Sequence, residues 1–246
     1  MEHQQLWFTA LLNSVLGGPI AALMAAVGHP AADPAHPIAN HYAMQVFAAL
    51  VIMVILGVVR AGISMDRPGK LQQFFELIID GIDGMLDEIV GHGAKVFIPM
   101  LFTLALFIFL CNILGIIPSL ATPTDQVSAT LGLALVAFVY YNYWGIHHHG
   151  VRGYIKASFM GPMMAIAPLM LPIEIVSHLA RVLSLSVRLM ANMIAGHNIT
   201  LIFAGLVPLG LPILFEGLHM AVGALQAYVF IMLTTVYLAG AVAEEH

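Results

Sequence analysis

Arg181-Val-Leu-Ser-Leu-Ser-Val-Arg188-Leu-Met-Ala-Asn192-Met-Ile-Ala-Gly-His197 sets a guanidinium in the middle of one of the most apolar parts of the chain. No acid lies within ten residues of Arg188 on either side, and the nearest is Glu174. A guanidinium does not become neutral by losing its proton, so burying it in lipid costs from roughly 3 to above 10 kcal/mol, depending on the reference. Such a group persists inside a membrane where it meets water, a partner or a moving charge. The stretch therefore reads as a membrane helix carrying an ion-translocating site.

Composition agrees. Of 246 residues, 61% are hydrophobic and 9% charged, and the mean hydropathy is +0.95. A soluble domain carries about 25% charged residues, so this is a polytopic membrane protein. Cys111 is the single cysteine, which excludes an internal disulfide and leaves no second thiol for a metal. There is no Gly-rich phosphate loop, paired-Cys motif or nucleophile elbow, and no cofactor is expected. Eight basic residues scattered over the chain disfavour nucleic acid as a partner.

Working outward, residues 173–204 hold no Pro and one Gly, Gly196; these 32 residues make a helix of about 48 Å. Residues 213–243 form a second run of excess length. Both exceed the hydrocarbon layer of about 30 Å and are expected to tilt strongly. Upstream, 42–60, 95–117 and 127–146 read as three further spans. Residues 71–90 alternate apolar and acidic positions at helical spacing and predict an amphipathic surface helix. Its acidic face suits water or a partner subunit, not anionic lipid. Residues 6–27 are apolar around Gly17-Gly18-Pro19, which leaves an interfacial hairpin, a poor span or a cleaved signal. No Lys or Arg precedes them, which argues against the signal. The expected architecture is an all-α polytopic membrane protein with about five membrane helices. Residues 1–40 form a variable N-terminal segment and 41–246 a single membrane domain. His147-His148-His149 and the stretch from Arg152 to Lys156 read as a wet loop, and the triplet as a loop tract in preference to a metal site.

Six of the eight basic residues, Arg60, Arg67, Lys70, Lys95, Arg152 and Lys156, fall on one side of these spans, and the positive-inside rule assigns that side to the cytoplasm. The C-terminal Glu244-Glu245-His246 is then inside and the Asp125 turn outside. Glu174 and Ser177 lie towards the inner side, Arg188 near the middle, and His197 with Glu216 and His219 towards the outside. Gln226 lies closer to the middle. Carboxylates and imidazoles relay protons near neutral pH. Two aqueous half-paths separated by a fixed cation carry protons to the middle from each side without letting them cross. Arg181 reads as structural or snorkelling, His178 as structural, with membership of the inner titratable set beside Glu174 as the alternative, and Asp125 as a turn residue.

These residues resemble the a subunit of the F-type ATP synthase membrane sector. The resemblance rests on Leu183-Ser184-Leu185-Ser186-Val187-Arg188-Leu189-Met190-Ala191-Asn192-Met193-Ile194-Ala195-Gly196-His197. A second motif, Leu225-Gln226-Ala227-Tyr228-Val229-Phe230-Ile231-Met232-Leu233-Thr234-Thr235-Val236-Tyr237-Leu238, is followed by the Glu-Glu-His end. Weaker marks are Pro68-Gly69-Lys70, Asn112-Ile-Leu-Gly-Ile-Ile-Pro118 and Pro123-Thr-Asp125. The resemblance covers about 41–246 and implies a non-catalytic stator subunit of a bacterial cytoplasmic membrane complex. Its implied partners are a c-ring, the b subunit of a peripheral stalk and the rest of the synthase. By it, Arg188 matches the arginine that faces the c-ring carboxylate. Asn192, His197, His219 and Gln226 match the outer half-channel, and Glu174 and Ser177 the inner one. Family members pair Glu with His at the positions of His197 and His219; here both are His. Glu216, one turn before His219, is the candidate for the displaced carboxylate. The alternative is a self-contained proton-coupled transporter. Such proteins show internal repeats and matched broken helices, and neither is found here. A membrane-embedded enzyme needs a nucleophile–base set or metal-ligand spacing, which is also missing.

Overall fold

A computed structural model describes residues 6–26, 28, 36–65, 67–91, 93–117, 120–155, 167–206 and 210–243. Glu244-Glu245-His246, Lys156 and Pro118 of the reading above lie outside them. Among the described residues every regular element is helical: α1 (Trp7–Ala26), α2 (Asn40–Ala61), α3 (Lys70–Ile89), α4 (Ile98–Leu114), α5 (Val127–Ile155), α6 (Ala167–Leu206) and α7 (Leu211–Val242). Short 3-10 turns, Ala94–Phe97 and Pro123–Asp125, lead into α4 and α5. All except α3 are long and apolar enough to cross a membrane. Backbone groups in hydrocarbon must be satisfied internally, and helices do that without a neighbour.

The polytopic all-α reading stands, with three differences in detail. Within the segment left open by the sequence, Trp7–Ala26 forms one continuous helix despite Pro19, which raises the candidate spans to six. Asn13 of α1 clamps the backbone of Ile38, its Nδ2 donating to the carbonyl at 3.1 Å while its Oδ1 accepts from Ile38 N at 3.0 Å. The His147–His149 triplet is not in a loop: α5 continues through it to Ile155, bending at Gly150, whose φ of 68° suits glycine. The sequence reading ended that helix where polarity rises, but polarity alone breaks no backbone hydrogen bond. Successive helical residues point about 100° apart, so three adjacent imidazoles do not converge on one ion. Finally, α6 begins at Ala167 and passes through Pro172 to reach 40 residues. A span needs about 20, so α6 and the 32-residue α7 must tilt or extend beyond the hydrocarbon.

The packing partners are α4 with α7, α5 with α6, α6 with α7 and α5 with α7. Leu86, Leu101, Ile108, Tyr141, Leu189 and Phe230 form one contiguous core. Small residues at the contacts, Ala134 and Ala137 on α5, let α5 approach its neighbours closely. The amphipathic α3 buries Phe75, Ile82, Met85 and Leu86 and packs on α4 and α7. Leu71, Phe74 and Leu77 remain exposed, so only part of its apolar stripe is used within the chain.

Without water to drive helices together, interhelical hydrogen bonds carry specificity. Thr130 Oγ1 and Ser186 Oγ, 3.0 Å apart, join α5 to α6. Asn112 of α4, 2% exposed, donates from Nδ2 to the Gly223 carbonyl of α7 at 3.0 Å. Its Oδ1 accepts from Thr124 Oγ1 at 2.9 Å. One amide thus ties α4, α7 and the turn before α5 together. Asn112→Leu strands the buried Thr124 hydroxyl and removes both bonds. Its expected cost is about 1–3 kcal/mol, read as a lower melting temperature of the detergent-solubilised protein; an unchanged melt refutes the brace.

Candidate functional site

The register of α6 decides where its charges point. Val182, Leu185, Ser186, Leu189 and Met193 are buried at three- and four-residue spacing, which turns Arg188 to the other side. Arg188 is exposed there, next in sequence to Val187, which is 51% exposed. It makes no ion pair with any described residue. The acid nearest in sequence is engaged elsewhere: Glu174 Oε1 lies 3.7 Å from Arg181 Nη2 and 3.5 Å from His178 Nε2. The Arg181 guanidinium also sits 5.3 Å above the Tyr237 ring of α7. Arg181 therefore has a carboxylate and an aromatic face to offset its charge, and Arg188 has neither.

Nine residues beyond Arg188, about 14 Å along the helix axis, a second polar group assembles between α6 and α7. A cavity of about 150 Å³ is lined by Asn192, Gly196, Phe215, Leu218, His219 and Val222, among others. His219 is 6% exposed, and its Nε2 has no hydrogen-bond partner among the described residues. Asn192 Nδ2 and Gln226 Nε2 are buried in the same condition. Glu216 and His197 both lie within electrostatic reach of His219. The lining is otherwise apolar, and Asn192 and His219 supply its polar side chains. The sequence of α6 makes room for the imidazole with a single glycine: a Cβ at Gly196 would stand 2.6 Å from His219 Cδ2 and 2.7 Å from its Nε2.

An acid, an imidazole and a guanidinium at one end, an exposed cation in the middle and a buried imidazole beside a cavity at the other make a distinctive order along two helices. The family model described as ATP synthase A chain matches residues 42–239, which include all of it. The chain belongs to this family. It is 43% identical over 246 residues, the whole of both chains, to the ATP synthase subunit a of Koribacter versatilis (strain Ellin345). It is 43% identical over 236 residues, 96% of this chain and all of the relative, to that of Solibacter usitatus (strain Ellin6076). To the subunit a of Sulfurihydrogenibium sp. (strain YO3AOP1) it is 39% identical over 203 residues, 82% of this chain and 97% of the relative.

Within this member of the ATP synthase A chain family, the residues singled out from sequence fall into three places. Asn192 and His219 line the cavity, while Glu216 and the exposed His197 lie outside its lining but within electrostatic reach of His219. Gln226, two turns past His219 on α7, is buried outside its lining. Glu174 stands with His178 and Arg181 at the other end, while Ser177 beside it is half-buried. The reading of Arg181 as structural gains a partner, and that of His178 as a packing residue acquires two polar neighbours. Sequence reasoning missed Tyr141, whose hydroxyl lies 2.8 Å from His178 Nδ1. It gave Asn112 no role, although one amide in a charge-free span is a readable signal. It noted Gly196 without its steric partner.

Proposed function

We propose that this chain is the stator a subunit of an F-type ATP synthase. It conducts protons through two offset half-channels to and from the carboxylate of a c-ring, so that the ion gradient drives rotation. The observation that carries the reading is Arg188: a permanent cation, unpaired among the described residues and exposed on a membrane-length helix, between two sets of titratable groups. A lone exposed cation on such a helix fits a partner that brings an acid to it. A carboxylate arriving beside a guanidinium is favoured in its charged form and releases its proton. The Asn192, His197, Glu216 and His219 group, with Gln226, forms the outer half-channel, and Glu174 with Ser177 the inner one. The fixed positive charge between them blocks direct passage, so each proton must ride the ring. The subunit performs no bond chemistry; other subunits of the complex make ATP. Its partners are the c-ring, the b subunit of the peripheral stalk and the rest of the synthase. It resides in a bacterial cytoplasmic membrane, with the C-terminus inside.

The test is a crosslink from the face that carries Arg188. Leu189, the neighbour on one side, is wholly buried in the core, whereas Val187 is half-exposed, so Val187→Cys is the reporter, in a Cys111→Ala background. A second cysteine goes beside the ion-carrying carboxylate of the c subunit from the same genome. Oxidation of native membranes is expected to give a specific a–c dimer. No dimer, with both proteins present and both thiols labelled, favours a self-contained proton-coupled transporter instead.

A further inference from the structure

We propose that His178 is a proton-exchanging group of the inner half-path, held in place by Tyr141; the inference rests on the half-channel reading above. His178 follows Glu174 by one turn of α6 and is 6% exposed. Its two ring nitrogens face two different groups. Nε2 lies 3.5 Å from Glu174 Oε1, a small side-chain rotation short of a good hydrogen bond. Nδ1 lies 2.8 Å from the hydroxyl of Tyr141 on α5, a side chain itself 2% exposed. The Tyr141 ring stacks on the imidazole at 13° and 5.9 Å between centroids, and Phe138 closes the edge at 6.0 Å.

This surrounding suits an imidazole that changes state. A hydroxyl both donates and accepts, so Tyr141 satisfies Nδ1 whether that atom is bare or carries hydrogen. With Nδ1–H donating to the Tyr141 oxygen, Nε2 is bare and faces the carboxyl. A proton on Glu174 then passes to Nε2, leaving a carboxylate that accepts from the new Nε2–H; the reverse step restores the carboxyl. No other bond changes and Tyr141 keeps its hydrogen. Arg181, 3.7 Å from the same carboxylate oxygen, supplies a fixed charge beside it. From α7, Tyr237 packs against Tyr141 at 5.9 Å and carries Arg181 over its ring. Glu174, His178 and Arg181 together therefore carry one mobile proton, with Tyr141 a positioning residue. The cluster stands ten residues, about 15 Å, before Arg188, at the start of the inner path and not at its end.

The experiment uses inverted membrane vesicles bearing the whole complex, stripped of the catalytic sector, with passive proton conduction followed as the pH outside the vesicle is varied. His178→Gln keeps hydrogen-bonding atoms but takes up no proton. It is expected to lower conduction about tenfold or more and to remove one titration step from the profile; added imidazole partly restores His178→Ala. Conduction by His178→Gln equal to wild type at every pH overturns the proposal, because a packing role survives that exchange. If His178→Gln does not assemble, Tyr141→Phe carries the test: it keeps the imidazole and loses the orienting contact, and an unchanged pH profile overturns the proposal equally. Arg188→Ala, assayed for ATP-driven pumping in parallel, separates the two failures. Loss of pumping there with a normal His178→Gln removes His178 alone; normal pumping there removes the stator reading and this inference with it.

Discussion

Replacing Arg188 by Ala is expected to reduce ATP-driven proton pumping by the assembled complex to background, with the subunit present in the membrane at normal amount. The side chain contributes little to the fold: it is exposed, and no described residue pairs with it. Its removal leaves Leu185 and Leu189 packed in the core. What is lost is the cation of α6 that has no ion-pair partner among the described residues, together with the pull that favours the charged form of an approaching carboxylate. Passive proton leak is expected to persist, since the barrier between the two half-paths goes with the charge. Arg188→Lys keeps the charge but not the planar fork of five donors and is expected to fail to restore pumping. Pumping measured by fluorescence quench, normalised to ATP hydrolysis in the same vesicles, decides it. Coupled pumping in Arg188→Ala sinks the stator reading, and an absent subunit would mean that Arg188 is structural after all.

Much of this was legible in the chain because the signals are local. Arg188 stands out through the missing acids around it, but which of its neighbours face the core came only from the structure, where Leu185, Leu189 and Met193 are buried. That α6 and α7 exceed the membrane thickness followed from the scarcity of Pro and Gly, though α6 reaches 40 residues where 32 were expected. What stayed hidden joins positions far apart in sequence. Tyr141 reaches His178 across 37 residues, and Asn112 reaches Gly223 across 111; no periodicity within one helix encodes either. The pairing of Glu174 with Arg181 was missed for a different reason. Two turns separate them, and only long side chains leaning along the helix let them meet. Helix ends were the weakest part. The reading ended α5 at rising polarity before His147 and started α6 after Pro172. Rising polarity does not end a helix: α5 runs through His147–His149 and kinks only at Gly150, where φ changes sign, and a single Pro near a helix start removes one bond only.

Gly196→Ala is expected to be destabilising although it replaces a helical glycine, a change that ordinarily stabilises a helix by about 0.5–1 kcal/mol. The new methyl would lie 2.6–2.8 Å from three ring atoms of His219, well inside van der Waals contact. The ring must move, and the space open to it is the cavity it shares with Asn192. Overpacking of this kind costs about 1–3 kcal/mol, and the displaced imidazole no longer holds its place in the outer half-path, so proton conduction falls as well. The sign of the effect isolates the cause. In a His219→Ala background the obstacle is gone, and Gly196→Ala is expected to become neutral or stabilising. The two substitutions then give a coupling energy of opposite sign to the single change, the signature of direct contact in a double-mutant cycle. Thermal melts of the four detergent-solubilised proteins measure it. An equal cost for Gly196→Ala in both backgrounds means the glycine serves the backbone and not the histidine. The packing between α6 and α7 would then have to be redrawn around some other close approach.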